Sequence, residues 1–253
     1  MRSRRWKALR NASRRGKSDR SLKVKICVPV AAETTTEVID LIERAESLGA
    51  DLIEVRFDYL NLTGEIRRIA RSTPLPLIAT NRRFDQGGKK QQDESDRIRS
   101  LLEASKHGFE YVDLELNTPE LRSVVEKVRN LGSEVILSHH DFDHTPQQKD
   151  LEKIVEEMIS KGANICKVVT TARRFEDNLI CLNLLKNVAK KFRVICFAMG
   201  DLGLLSRLLS PLVGGYFTYA SITEGLATAP GQVSIREAKE FYEVLGVQYG
   251  NIG

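Results

Sequence analysis

Lysine is seldom enclosed by apolar neighbours, yet Lys167 stands within Ile165-Cys166-Lys167-Val168-Val169. An ammonium buried in such a run either pairs with a carboxylate or gives up its proton, because burial disfavours the charged form. The neutral amine is a nucleophile toward ketones, and the iminium it forms acidifies the neighbouring C–H bond. Cations such as Arg56 or Arg82 would lower the amine's pKa further, whereas an ion pair with Glu54 or Glu115 would make the lysine structural. Position alone leaves these two readings level.

His140, in Ser138-His139-His140-Asp141-Phe142, ends the preceding apolar run, where an imidazole can move protons near neutral pH. Three of the four histidines, His139, His140 and His144, gather here. Their consecutive and +4 spacing at a strand end, without a partner carboxylate motif, argues against a metal site. Strand alternation sends His139 and His140 to opposite faces. Arginines beside a lysine and a histidine suit a carboxylate, which guanidinium matches bidentately, and carboxylates such as Glu54 suit hydroxyls. The ligand these residues call for is a small polyhydroxylated keto acid. Two loops are shaped to close over it, 83–90 (RFDQGGKK) and 227–232 (ATAPGQ).

Such residues need a frame. From residue 24, short β-branched runs alternate with longer amphipathic segments, the pattern of repeated βα units around a parallel sheet. Eight runs are predicted as strands, at 24–30, 52–58, 76–82, 111–116, 135–141, 165–171, 194–199 and 216–222. Gly49, Gly108, Gly132 and Gly162 end four of the helices, and Thr118-Pro119 opens another. Within strands, Glu54 pairs with Arg56 and Asp113 with Glu115 on one face. Charges on an inner face do not fit the continuous apolar strands of an open doubly wound sheet. No GxGxxG follows the first strand. The fold predicted is an α/β (β/α)8 TIM barrel in a single domain. Its open face collects Glu54, Arg56, Arg82, Asp113, Glu115, His140 and Lys167.

A length of 253 residues suits one such barrel, and 42% hydrophobic with 29% charged residues is a globular balance. No apolar run approaches the roughly 18 residues of a membrane span. The net charge of +5 is uneven: the first twenty residues carry nine Lys or Arg and one Asp, leaving the remainder about −3. Residues 1–22 therefore read as a basic extension without a secretory pattern, and 23–253 as the catalytic barrel. Four cysteines without CxxC spacing fit a reduced cytoplasmic setting.

These segments resemble the type I 3-dehydroquinate dehydratase family over about residues 24–246. EVRFD resembles its second-strand segment, and Arg82 with Gly87-Gly88 its third-strand arginine and lid. VDLEL, SHHDF and ICKVV resemble its fourth, fifth and sixth strands, LLSRL its substrate arginine, and TAPGQ its closing loop. The resemblance implies that Lys167 condenses with the C3 ketone of 3-dehydroquinate, while His140 takes a C2 proton and returns one to the departing C1 hydroxyl, giving 3-dehydroshikimate. It implies that Arg207 and Gln232, with Thr228 in the same loop, hold the carboxylate, and that Glu54, Arg56 and Arg82 order the ring hydroxyls and imine. Asp113, Glu115, Gln86, Phe197 and Met199 take supporting places. No cofactor or metal, a homodimer, and no nucleic-acid or membrane partner are further expectations. Three positions depart from the family's common residues: Gln86 for Glu in the lid, Thr228 for Ser, and Phe197 for Met. A class I Schiff-base aldolase is the alternative enzyme, and a salt-sensitive nucleic-acid binder led by the basic extension the alternative of another kind.

Overall fold

The computed structural model describes residues 23–61, 65–226 and 228–249. The basic extension 1–22, Ala227 of the second loop and residues 250–253 lie outside the described residues. Eight parallel strands form the central sheet: β1 (Ile26–Val30), β2 (Leu52–Arg56), β3 (Leu77–Thr80), β4 (Tyr111–Glu115), β5 (Glu134–His140), β6 (Ile165–Thr171), β7 (Arg193–Met199) and β8 (Thr218–Tyr219). Each pairs with its neighbour in chain order from β1 to β7, and β8 returns to β1. The seam between β7 and β8 is bridged where the Tyr216 amide donates to the Val194 carbonyl at 2.8 Å, so the barrel is nearly closed.

Helices α1 (Thr35–Ser47), α2 (Ile66–Ala70), α3 (Glu94–Lys106), α4 (Leu121–Asn130), α5 (Gln148–Ser160), α6 (Asp177–Val188), α7 (Leu204–Leu209) and α8 (Ile235–Leu245) follow successive strands. The strands are buried on both faces because alternate residues serve two cores. Outward residues such as Ile53, Val55, Val112, Leu114, Leu137 and Val168 pack with the helices. Inward residues Leu52, Ile78, Tyr111, Ile136, Ile165, Ile195 and Phe217 fill the lower barrel. Gly49, Gly108, Gly132 and Gly162 end α1, α3, α4 and α5 as expected, each at positive φ.

The structure corrects several boundaries. The first expected strand breaks at Lys25, and Lys23–Val24 pairs instead with Gln248–Tyr249 in a separate parallel ladder. The expected run 216–222 keeps only Thr218–Tyr219 as strand: the Ala220 amide still donates to the Cys27 carbonyl of β1, but Ser221 turns its amide to the Val233 carbonyl at the barrel's end. Phe57, Asp58, Asn81 and Arg82 fall just beyond their strands. Thr118-Pro119 does not open α4, which begins after Glu120 at φ 50°. The Thr118 hydroxyl accepts from Arg97 Nη2 at 3.3 Å instead of capping the helix. No helix among the described residues is long and apolar enough to cross a membrane.

Candidate active site

Above the apolar floor the inward positions turn polar: Glu54 and Arg56 from β2, Thr80 and then Arg82 from β3, Asp113 and Glu115 from β4, Ser138 and His140 from β5, and Lys167 from β6. They surround a cavity of about 290 Å³. All the expected site residues line it except Asp113 and Glu115, which stand behind its wall. Those two carboxylates are nevertheless what holds the wall together.

Lys167 is buried, and its Nζ lies 2.9 Å from Asp113 Oδ2 and 3.3 Å from Glu54 Oε1. The same Nζ sits 4.5 Å from the centre of the Tyr219 ring. The pairing with Glu54 follows the sequence reading, but the second partner is Asp113 and not Glu115. Glu115, two residues further along β4, is occupied by Arg82 Nη1 at 3.0 Å and Arg97 Nη1 at 2.8 Å. Arg82 also donates to Ser138 Oγ at 2.7 Å and meets Asp113 Oδ2 at 2.7 Å. Asp113 is thus shared by two cations. Burial would raise its pKa, but Arg82 and then Lys167 outweigh that and hold it well below the usual carboxylate range. Glu54 is fixed in turn by the Thr80 hydroxyl at 2.7 Å.

His140 faces the cavity, with a ring Nδ1 enclosed and without a hydrogen-bond partner. Burial first, then the charges of Arg82 and Lys167, push its pKa well below the ordinary histidine value. Phe142 stacks on it at 6.0 Å between centroids and 17° between planes. His139 points away, into a separate recess with Glu157 and Lys161, as alternation requires.

Arg207, on α7, is 1% exposed, and its guanidinium lies 4.2 Å over the Phe197 ring. Its Nε has no hydrogen-bond partner, and burial pushes its pKa down to about 10. A desolvated cation with an unmet donor on a cavity wall is a site for an anion. Beside it, Gln232 Oε1 accepts from the Thr228 amide at 2.8 Å and the Thr228 hydroxyl at 3.4 Å. That loop is seated closely on the end of β7: Gly231 has φ 70°, and a Cβ there would fall 2.3 Å from the Gly200 carbonyl oxygen. The other loop begins with a 3-10 turn, Phe84–Gln86. Gln86 lines the cavity, its side-chain Nε2 donating to the Asp85 carbonyl at 3.3 Å.

Sequence reasoning missed Asp58, Phe142, Ser138 and Tyr219. Ser138 carried a usable signal, since it lies two residues before His140 on β5, and Tyr219 lies two residues after inward Phe217, whereas Asp58 lies beyond the end of β2. Phe142 lies beyond the end of β5, where alternation gives no guide.

A polar cavity at the C-terminal end of a parallel barrel, ringed by the loops that follow its strands, is where enzymes of this architecture hold their substrates. Fold and site together define a (β/α)8-barrel enzyme. Residues 26–249 match the family described as Type I 3-dehydroquinase, and the chain belongs to that family. The 3-dehydroquinate dehydratase of Dehalococcoides mccartyi strain 195 is 39% identical over 218 residues, spanning 85% of this chain and 96% of the relative. That of Methanococcoides burtonii is 35% identical over 224 residues, spanning 85% of this chain and 94% of the relative. The solved 3-dehydroquinate dehydratase of Geobacillus kaustophilus superposes with a TM-score of 0.80 at 26% identity, covering 88% of this chain and 91% of that one.

Proposed function

We propose that the chain is a type I 3-dehydroquinate dehydratase, a hydro-lyase of the shikimate pathway that converts 3-dehydroquinate to 3-dehydroshikimate and water. The observation that carries the reading is the pairing, in one cavity, of buried Lys167 with the unmet cationic donor of Arg207. One group reacts with a ketone and the other receives a carboxylate.

The substrate carboxylate docks on Arg207, beside the Gln232 and Thr228 loop. Lys167, held as an ammonium between Asp113 and Glu54, loses a proton, and neutral His140 is available to take it. The free amine adds to the C3 carbonyl, and His140 passes the proton it took to the carbinolamine hydroxyl, which leaves as water to give an iminium and a neutral imidazole. The iminium draws electron density from C2, whose proton passes to His140. The resulting enamine expels the C1 hydroxyl, which leaves as water with the proton returned by His140. Hydrolysis of the new iminium releases product and restores Lys167. Asp113, bonded to both Arg82 and Lys167, keeps a negative charge beside the nitrogen as it becomes cationic.

Dehydration is favoured over aldol cleavage by membership of the type I 3-dehydroquinase family, and an aldehyde product would reverse that preference. The barrel over 23–253 acts as one unit, as a cytoplasmic homodimer without a cofactor, and light scattering tests the dimer. The decisive experiment is borohydride reduction in the presence of 3-dehydroquinate, followed by peptide mass spectrometry. A reduced adduct on Lys167 is expected. A folded, catalytically active protein without any adduct would overturn the mechanism.

A further inference from the structure

Asp58 is fully buried at the end of β2, yet it neither lines the cavity nor takes part in the steps above. Its carboxylate gathers three separate segments. Oδ1 accepts from Arg56 Nε at 2.8 Å and from the Arg82 amide at 3.3 Å. Oδ2 accepts from Arg56 Nη2 at 2.7 Å and from the Lys89 amide at 2.9 Å. The first segment carries a cavity-lining guanidinium, the second the arginine that clamps Asp113, and the third is the far root of loop 83–90.

The neighbours of Asp58 reinforce the same attachment. Tyr59 presents its ring to both Arg56, at 5.1 Å, and Lys89, at 5.7 Å. The Leu60 carbonyl accepts from Lys90 Nζ at 2.9 Å. From the other side, Arg56 Nη2 reaches the Gly87 carbonyl at 3.4 Å. Gly88 closes the gap: a Cβ there would lie 2.1 Å from the Arg82 carbonyl oxygen, so the loop turns directly against the end of β3.

The geometry points to Asp58 as a positioning residue that fastens loop 83–90 and the Arg56 guanidinium to one carboxylate, making the seated loop and the substrate-facing arginine a single state. Burial alone would raise the pKa of Asp58, and its bonds to Arg56 overcome that and lower it, so the anion persists at neutral pH. A charged acceptor saturated by four donors fixes direction as well as distance. The kinetic part of this inference rests on the dehydratase reading. The part concerning the loop does not.

Two substitutions test it. Asp58→Asn removes the charge, and Lys89→Pro deletes one loop N–H together with the Lys89 contact on Tyr59 while leaving the Arg56 pair in place. Trypsin cleavage after Arg83 and Lys90, followed by mass spectrometry without substrate, reads the loop. Asp58→Asn should speed this cleavage about tenfold, the scale of losing one hydrogen bond to a charged group, and Lys89→Pro about threefold. With 3-dehydroquinate, KM should rise about tenfold in Asp58→Asn while kcat stays within about threefold, and borohydride should still label Lys167 at saturating substrate. If Asp58→Asn does not fold, Lys89→Pro decides by the same readouts. Cleavage within about twofold of the unmutated chain, or a loss confined to kcat, would overturn the assignment. An unmutated chain without turnover would instead refute the dehydratase reading and leave the loop measurement standing.

Discussion

At the residue scale, the division of labour between Lys167 and His140 makes two separable expectations. Lys167→Ala should lose both turnover and the borohydride adduct. His140→Ala should keep the adduct and lose roughly 10²–10⁴-fold in rate, the usual share of a positioned acid–base group. The base form of His140 is the neutral one, present above its pKa. Because burial, Arg82 and Lys167 depress that pKa, the acidic limb of kcat/KM should lie below the ordinary histidine value of about 6.5. Gln86 lines the same cavity, so Gln86→Glu brings an anion that stabilises the imidazolium. The limb should then move to higher pH, and a limb that stays put or moves lower would place residue 86 out of electrostatic reach. Lys167 was legible in the sequence because a charge inside ICKVV has no ordinary explanation. Its second partner was not, since whether Asp113 or Glu115 reaches it depends on how Arg82 and Arg97 divide those carboxylates in three dimensions.

At the scale of elements, all eight strands were legible in the sequence, but the lengths of the short ones were not. β5 and β6 run seven residues each, close to the runs read from the sequence. β8 retains two residues because it must bend toward the loop that carries Thr228 and Gln232, and the aromatic run YFTYASI gives no sign of that bend. The loop's seat on β7 is steric. Gly231 combines a left-handed backbone with a close approach to Gly200, where the Gly200 amide also donates to the Pro230 carbonyl at 3.3 Å. An alanine there must push the loop away, since φ near 70° is itself unfavourable with a Cβ present. Gly231→Ala should therefore raise KM about tenfold or more, because Arg207 and Gln232 no longer meet the carboxylate together, while leaving the Lys167 adduct detectable at high substrate. Unchanged KM in a folded variant would mean that this seat does not set carboxylate binding.

For the whole molecule, the alternation of apolar runs and amphipathic helices was enough to predict closure, because charged residues facing inward from β2, β4 and β6 have no place in a sheet covered by helices on both faces. What composition obscured was charge. The chain's net +5 comes from its first twenty residues, and the rest is about −3, so the overall sign says nothing of the barrel. Within the barrel the arginines that matter to an anion are local: Arg207 keeps an unmet Nε and meets no carboxylate among the described residues, while Arg82 and Arg56 are already neutralised by Asp113, Glu115 and Asp58. The described residues begin at Lys23–Val24, before β1, whereas the cavity opens where the strands end. Among the described residues its lining runs from Glu54 to Gln232. Removal of residues 1–20 should consequently leave kcat and KM within about twofold, and leave borohydride labelling of Lys167 intact. Comparing the truncated and full chains at low and moderate salt separates two effects. A KM that rises on truncation only at low salt would assign the extension a long-range electrostatic pull on the anionic substrate, whereas a salt-independent fall in kcat would make it part of the catalytic structure.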